Sequence, residues 1–425
     1  MTADTQTWIS TVRPRGPVAR GLLLCAVVAC SESQAPPVTS PPVALPVVTS
    51  ISVTASTSSL TTGTTLELIA TPRDQQGRAM SASLSWSTSN APVATVSPSG
   101  VVSGIGPGTA NIRAQAGDVS GSVALTVNPL PDFVAGRSYF GRNGYIEYIA
   151  GNAPVILSAP HGGALLPATI PDRVATACGG SATTVTDGNT VELVRAMQDR
   201  FFARFGTYPH VVISHLSRRK LDPNRLATEA ACGNREASAA LEDWHLFIDA
   251  AKAAVVAKSG KGWYMDMHGH GHPIPRLELG YLLTDAQLNL TDAELDASTS
   301  FESRSSLFTL SQAASPSFSA VLRGTASLGD LYVKNGFPAI PSTSDPRPNG
   351  SDYFDGGDNT RRHTCGSAAS ALGGATNGSI CGVQIEANFA NVRDNAINRV
   401  RFADATAIVL EEFLRVHWGL RLTAP

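Results

Sequence analysis

Charged residues are scarce in this chain, and its only membrane-like apolar run is short. Asp, Glu, Lys and Arg make up 16% of the 425 residues, below the roughly 25% of average soluble domains. The 32 basic and 34 acidic residues leave a formal net charge of −2, so the excess of positive charge expected of a nucleic-acid binder is missing. The apolar run within the first thirty residues is too short to span a bilayer as a helix. The composition therefore argues against a nucleic-acid partner and against an integral membrane protein.

Hydrophobic residues, in contrast, are plentiful. They make up 43% of the chain, which is enough for a packed core and excludes disorder of the whole protein. At roughly 150 residues per domain, the length predicts two or three domains.

The amino terminus has the order of charge and hydrophobicity that is typical of a secretory signal. Arg13, Arg15 and Arg20 precede the apolar stretch 21–29, as in the charged and apolar regions of a signal peptide. We therefore expect residues 1–29 to be a signal peptide and the protein to be exported.

The end of this stretch resembles a bacterial lipobox, with the sequence Val27-Val28-Ala29-Cys30. Cys30 would then carry the lipid that anchors the mature chain to a membrane, and Ser31 in place of Asp favours sorting to the outer membrane in a host with two membranes. The alternative is a signal peptide cut nearby, with Cys30 incidental. Residues 30–48 are rich in Pro, Ser and Thr and predict an extended linker.

Four cysteines follow the signal segment: Cys178, Cys232, Cys365 and Cys381. An even number in an exported chain favours disulfide bonds over thiol chemistry. Of the three pairings that four cysteines allow, we favour Cys178 with Cys232 and Cys365 with Cys381, because each pair brackets a loop-rich region. The four cysteines lack the CxxC spacing of a zinc site.

Short β-branched runs alternate with turn residues in segment 49–128, which predicts an all-β sandwich. Its motifs resemble those of the bacterial group 2 immunoglobulin-like domain, which implies a spacer or an adhesive module at the cell surface. These motifs are Trp86-Ser87-Thr88-Ser89-Asn90, Val93-Ala94-Thr95-Val96, Gly100-Val101-Val102 and Gly106-Pro107-Gly108-Thr109-Ala110.

Segment 129–425 changes to short apolar strands separated by longer helical stretches, which predicts an α/β layer architecture. Strands are expected at 155–158, 211–213, 263–266 and 383–386. Helices are expected over 191–205, 237–258 and 403–416. In such folds the chemistry lies in loops at the strand ends.

Four polar motifs follow or precede these elements. Each has a structural alternative: a polar loop residue for His161, a helix cap for Asp187, and a solvated basic surface for the cations of segment 217–225. The motifs are Ser158-Ala159-Pro160-His161-Gly162-Gly163, Thr186-Asp187-Gly188-Asn189, Ser217-Arg218-Arg219-Lys220-Leu221-Asp222-Pro223-Asn224-Arg225 and Asp266-Met267-His268-Gly269-His270-Gly271-His272.

The last motif, with three alternating histidines after an apolar strand, points to a metal site. Neutral imidazoles suit zinc, and Asp266 could orient a ligating ring. His161 and His268 with the carboxylate of Asp187 would give the three-ligand form of a catalytic zinc site. Glu192 is the reserve carboxylate, since it lies little more than one helical turn further on.

The order of these motifs resembles the N-formylglutamate amidohydrolase family. Two further segments take part in the resemblance, Phe354-Asp355-Gly356-Gly357 through Arg361-Arg362-His363, and Val383-Gln384-Ile385-Glu386. It spans about 146–392 and implies a phosphorylase/hydrolase-like α/β/α fold related to zinc carboxypeptidases.

The resemblance also implies roles for individual residues. His161, Asp187 and His268 would bind zinc, and Glu386 would be the general base. Substrate-carboxylate or oxyanion contacts would come from Arg218, Asn224 and Arg225, and further substrate contacts from Arg362 and His363.

The sequence thus predicts an exported zinc-dependent amidohydrolase that cleaves an amide bond next to a free carboxylate. The substrate would be an N-acyl amino acid, a peptide or a glutamyl compound. The alternative is a surface binding or adhesion lipoprotein without catalysis, in which the immunoglobulin-like module is the working part.

Overall fold

The computed structural model describes residues 45–313, 317–366 and 378–423. The predicted signal peptide 1–29, the lipidation candidate Cys30 and most of the linker 30–48 lie outside the described residues. All elements below belong to the unit Val47–Pro425. Within the described ranges, no helix is both long enough and apolar enough to cross a membrane.

The amino-terminal domain is a sandwich of two four-stranded sheets. Its strands are β1 (Ser50–Ala55), β2 (Ser59–Thr61), β3 (Thr65–Arg73), β4 (Ser85–Thr88), β5 (Ala94–Val96), β6 (Val101–Gly104), β7 (Gly108–Ala116) and β8 (Val119–Asn128). One sheet has the order β1-β3-β6-β5 and the other β2-β8-β7-β4.

Alternation of apolar and polar residues explains this sandwich. Successive side chains of a strand point to opposite faces of its sheet. Leu66 and Leu68 of β3 therefore share one face, and they form a common core with Ile112 of β7 and Leu125 and Val127 of β8. The predicted immunoglobulin-like sandwich is confirmed.

The second domain is built on a mixed eight-stranded sheet of order β15-β14-β16-β13-β11-β12-β10-β9. These strands are β9 (Ser138–Phe140), β10 (Ile146–Ile149), β11 (Val155–Ala159), β12 (His210–Ser214), β13 (Gly262–His270), β14 (Leu277–Gly280), β15 (Ala339–Ile340) and β16 (Ile380–Asn388). The central strands β12, β11, β13 and β16 are parallel, so their carboxyl ends meet at one edge of the sheet.

Helices cover both faces of this sheet. They are α1 (Thr190–Phe205), α2 (Ala227–Ala231), α3 (Arg235–Ser259), α4 (Asp285–Leu288), α5 (Asp292–Asp296), α6 (Thr299–Arg304), α7 (Phe308–Ala313), α8 (Phe318–Arg323), α9 (Leu328–Lys334), α10 (Asp358–His363) and α11 (Ala396–Trp418). A short helical segment, Phe389–Arg393, links β16 to α11.

The two faces have separate hydrophobic cores. Met265 of β13 packs in the core that includes α1 and α11, whereas its neighbour Tyr264 packs in the core that includes α3. A strand buried on both faces needs a continuous apolar run, which is the pattern seen at 155–158 and 211–213. The α/β/α layering is confirmed.

The closing helix α11 is longer than predicted. Apolar periodicity indicated only 403–416, but the helix begins at Ala396 because the side chain of Asn395 caps it by accepting a hydrogen bond from the amide of Asn398. Several residues of its first turns are exposed, so they carry little hydrophobic pattern. The short helices α4 to α9 between β14 and β15 were not predicted.

Two disulfide bonds are present, Cys178–Cys232 and Cys365–Cys381, and they are the two pairs favoured from the sequence. Their Cα atoms lie 4.5 and 4.7 Å apart, within the usual range.

Removing the Cys178–Cys232 bond by paired Ala substitutions should lower the free energy of unfolding by about 4 kcal/mol, because it closes the longer loop. Removing Cys365–Cys381 should cost about 3 kcal/mol on the same chain-entropy argument. Denaturant unfolding without reductant measures both effects. Peptide mapping of unreduced wild type is the control, and finding these four thiols free would contradict the prediction.

Candidate metal centre

The carboxyl-terminal edge of the parallel strands brings the sequence motifs together. His161 lies two residues after β11, and Asp187 lies three residues before α1. His268 is on β13 directly opposite Glu386 of β16 in the strand register. Residues far apart in the chain therefore converge because neighbouring parallel strands end at the same edge.

His161, Asp187 and His268 form one compact group. The Nδ1 atoms of both histidines lie 3.3 Å from Oδ2 of Asp187, and the three donor atoms lie within 4.8 Å of one another. All three side chains are buried. Two imidazole nitrogens and one carboxylate oxygen make a donor set that fits a catalytic zinc ion.

The outer nitrogen of each histidine is held by a second carboxylate. His161 Nε2 lies 2.6 Å from Oδ1 of Asp222, and His268 Nε2 lies 2.8 Å from Oδ2 of Asp266. A carboxylate at the outer nitrogen fixes the ring orientation and the tautomer of a metal ligand. The role foreseen for Asp266 fits this geometry, whereas Asp222 was noticed only as part of a basic motif.

Neighbouring groups favour the ionised form of the buried Asp222 carboxyl group. Burial opposes ionisation, but the nearby His161 and Arg218 outweigh it and hold the pKa of the Asp222 carboxyl well below its usual value. Arg218 Nε donates to Oδ2 of Asp222 at 2.9 Å, which places the guanidinium beside the group.

The capping interpretation of Asp187 is wrong. Asn189 precedes the first residue of α1, and the carboxylate of Asp187 instead faces the two histidines and accepts a hydrogen bond from the amide of Gly269 at 3.2 Å. The reserve ligand Glu192 is exposed on α1 and is not part of the group.

Glu386 lies next to the three donor atoms. Its Oε1 is 3.9 Å from Nδ1 of His268 and accepts a hydrogen bond from Nε2 of Gln384 at 2.8 Å. Burial, together with the negative charge of Asp187, raises the pKa of Glu386 in spite of the nearby His268. A glutamate near a strand end could instead form an ion pair with a nearby arginine, but Arg361 pairs with Asp358.

Three residues of segment 217–225 were expected to contact substrate, and their surroundings differ. Arg218 Nη1 lies 3.7 Å from Oδ1 of Asp187. Asn224 is buried, and its amide nitrogen lies 3.3 Å from Gln384 Oε1 and 3.4 Å from His268 Nε2. Arg225 donates a hydrogen bond to the carbonyl of Asn224 at 2.8 Å and so supports that loop. Its side chain remains partly exposed to solvent.

Arg362 and His363, the α10 residues expected to give further substrate contacts, lie near His245 of α3. His363 is fully buried, with Nε2 3.0 Å from Nδ1 of His245 on α3. The positive charge of Arg362 acts on the same pair of histidines. Residues four apart share a helix face, so the face of α10 that carries Asn359 and His363 packs toward α3.

Asn359 of α10 forms hydrogen bonds with residues that surround the three donor side chains. Its Nδ2 donates to Oδ2 of Asp266 at 3.2 Å, and its backbone amide donates to Oδ1 of Asn224 at 2.8 Å. Helix α10 therefore orients His268 indirectly, through the Asp266 carboxylate.

Arg393 is a buried residue at this edge that the sequence motifs did not reveal. Its guanidinium donates to the carbonyls of Ala387, Gly188 and His270 at 3.0, 2.6 and 3.0 Å, and its charge acts on Asp187 and Glu386. A Cβ atom at Gly269 would lie 2.4 Å from this guanidinium. That close approach explains the glycine between His268 and His270.

The other two histidines of the alternating motif lie apart from the group. His270 and His272 face Glu278 of β14, where the three residues form a second cluster.

Comparison with known proteins identifies the first domain. Residues 47–127 match the model of the bacterial Ig-like domain (group 2), so this segment is a bacterial Ig-like domain. A search of curated proteins found no match.

Several solved structures are similar to parts of the chain. Surface layer protein SbsC, domains 1–6, is 19% identical with a TM-score of 0.20, covering 25% of this chain and 20% of that one. The Escherichia coli adhesin FdeC is 19% identical with a TM-score of 0.16, covering 25% of this chain and 36% of that one. The chain thus spans well under two thirds of the length of either protein.

A third similar structure covers more of the chain. N-formylglutamate amidohydrolase from Ralstonia eutropha JMP134 is 13% identical with a TM-score of 0.37, covering 65% of this chain and 99% of that one. This is the family that the order of the sequence motifs resembles.

Replacing Asp187 by Asn should remove one equivalent of bound zinc per chain, because the variant loses the only carboxylate among the three donors. His268→Ala should lose the same equivalent. Elemental analysis after zinc loading and desalting measures the metal content. Glu192→Gln is the matched control and should retain the wild-type content, and equal zinc in all variants would refute the assignment.

Proposed function

We propose that the second domain is a zinc-dependent hydrolase that cleaves an amide bond next to a free carboxylate. The observation that carries the proposal is the convergence of His161, Asp187 and His268 from three separate elements, with Glu386 beside them. A hydrolytic site of this kind needs three protein ligands and a general base within reach.

Zinc would supply Lewis acidity and make water nucleophilic near neutral pH. The chain's own contribution begins with ligand orientation. Asp222 and Asp266 hold the outer nitrogens of the two histidines, so both rings present Nδ1 toward Asp187. This arrangement turns both nitrogens toward the carboxylate that would share the metal with them.

Glu386 would act as the general base. Its carboxylate takes a proton from the attacking water and later delivers it to the leaving nitrogen. Burial and the nearby Asp187 make its proton affinity higher than that of an exposed glutamate, which suits a group that must hold the proton between the two steps. The hydrogen bond from Gln384 fixes the position of Oε1.

Positive charge near the group favours a substrate with a carboxylate. Arg218 lies beside Asp187 and is 11% exposed, and Arg225 is more open to solvent. A guanidinium can bind a carboxylate through two parallel hydrogen bonds. We assign Arg218 and Arg225 to the carboxylate or oxyanion of the substrate, with Asn224 positioning the loop that carries them.

The setting of the reaction is proposed to be outside the cytoplasm. Disulfide bonds persist in oxidising compartments, and the Ig-like domain suits a spacer between the surface and the catalytic domain. Lipidation at Cys30 would anchor the chain to the membrane. N-acyl amino acids, peptides, cell-wall fragments and γ-linked glutamyl polymers are substrates that such an enzyme could meet there.

Substitution of Glu386 by Gln should lower turnover by roughly 100-fold or more, because it keeps the size of the side chain and removes the base. The substrate would first be found by screening zinc-loaded wild type against N-acyl amino acids, peptides and γ-glutamyl polymers, each with a free or an amidated carboxylate. Only the free-acid forms should be cleaved efficiently.

Zinc content of the Glu386→Gln variant must stay at the wild-type level for this test. Loss of zinc would show that Glu386 is a ligand, and near-normal turnover would show that another group is the base. Absence of cleavage throughout the screen by zinc-loaded wild type would favour the surface binding protein instead.

A further inference from the structure

We propose that His270, His272 and Glu278 form a second binding site for a divalent transition-metal ion, zinc being the best match. This proposal does not depend on the hydrolase function, because it involves none of the residues assigned to the first group. It accounts for the two histidines of the alternating motif that the first group leaves unused.

The three donor atoms already lie close together. Oε1 of Glu278 is 2.8 Å from Nδ1 of His272 and 3.8 Å from Nδ1 of His270. Zinc bound at roughly 2.0–2.2 Å in tetrahedral geometry places its ligand atoms about 3.3 Å apart. Adjustments of about 0.5 Å would therefore bring these two pairs to coordination distances.

The other polar atoms of the two buried ligands are occupied by protein groups. His270 Nε2 lies 2.8 Å from the carbonyl of Arg276. A carbonyl can only accept, so Nε2 carries the proton and Nδ1 has a lone pair, which in the absence of metal accepts the amide of His272 at 3.1 Å. Glu278 Oε2 accepts the amide of Phe354 at 2.9 Å. Such outer contacts are typical of metal ligands.

The burial of the Glu278 carboxyl group gives an independent reason for a cation here. Its side chain is 1% exposed, and within the described ranges no Lys or Arg nitrogen lies within 4 Å of its carboxylate; the ion-pair contacts are those with His270 and His272. A buried carboxylate needs a positive partner or protonation. A divalent ion held by two neutral imidazoles would supply that charge.

The site is open on one side. His270 is fully buried, but the side chain of His272 is 24% exposed and stacks on the ring of Phe354 at 4.7 Å. Three protein ligands would leave a coordination position, and the exposure of His272 gives an ion a path from solvent.

The position in the sheet suggests that the second ion would support the first site. Glu278 of β14 is paired in register with Glu386 of β16, and Phe354 begins the segment that leads to Gly357. Gly357 packs closely on the Asn224 amide, which in turn contacts His268. An ion at Glu278 would hold this segment in place, which is a positioning role.

Zinc titration of the chelator-stripped full chain tests the proposal. Wild type should bind two equivalents per chain, and His272→Ala should bind one. The Asp187→Asn variant should also bind one, because it removes only the first site. The Asp187→Asn variant thus reports on the first site and the His272→Ala variant on the second. Failure of the hydrolase proposal can therefore be distinguished from failure of this one.

His215→Ala is the matched control for chance binding by a surface histidine. His215 is 25% exposed and lies 2.9 Å from the carboxylate of Glu147, much as His272 lies near Glu278, but it is not part of any three-residue metal-ligand group found within the described residues. The control should bind two equivalents.

A measurement on unaltered protein guards against misfolding of the variants. Crystals of the zinc-loaded wild type should show an anomalous peak at the zinc absorption edge between His270, His272 and Glu278. The absence of that peak would overturn the proposal. So would a folded His272→Ala variant that still binds two zinc equivalents per chain.

Discussion

Buried carboxylates that need positive or hydrogen-bonding partners are the constraint on which the rest of the second domain depends. Asp187, Asp222 and Asp266 are all removed from solvent, and a buried charge without compensation costs several kcal/mol. Each of them contacts a histidine, and Arg218 adds a cation to two of them. The pairing therefore fixes which atoms of His161 and His268 remain available to a ligand.

The sheet supplies the positions that this network requires. Parallel strands that end at one edge bring His161, His268 and Glu386 close together, although these residues are far apart in the sequence. The strands themselves are apolar on both faces, and the two faces pack in separate cores, so a shift by one residue would move every side chain into the wrong core. The precision of the polar edge therefore derives from the packing of the apolar centre.

The sequence predicted those features that follow from a strand and the polar residue at its end. His161, His268 and Glu386 lie at or near the ends of strands and Asp187 lies just before a helix, and the structure brings them together. Asp222 as the partner of His161 and Arg393 could not be foreseen, because their contacts depend on tertiary approach. The orientation of α10 was also beyond prediction: Asn359 and His363 share the face that packs toward α3, and a six-residue helix is too short to reveal its rotation in the sequence pattern.

The three hydrogen bonds of Arg393 have a consequence for protein engineering. They join the backbone at Gly188, Ala387 and His270, so the segments that carry Asp187, Glu386 and His268 are attached to a single guanidinium. A designer who transplanted only the short motifs into another α/β scaffold would leave these segments unconnected. The smallest transferable unit is discontinuous and must include an arginine from beyond the last strand and a glycine small enough to admit it.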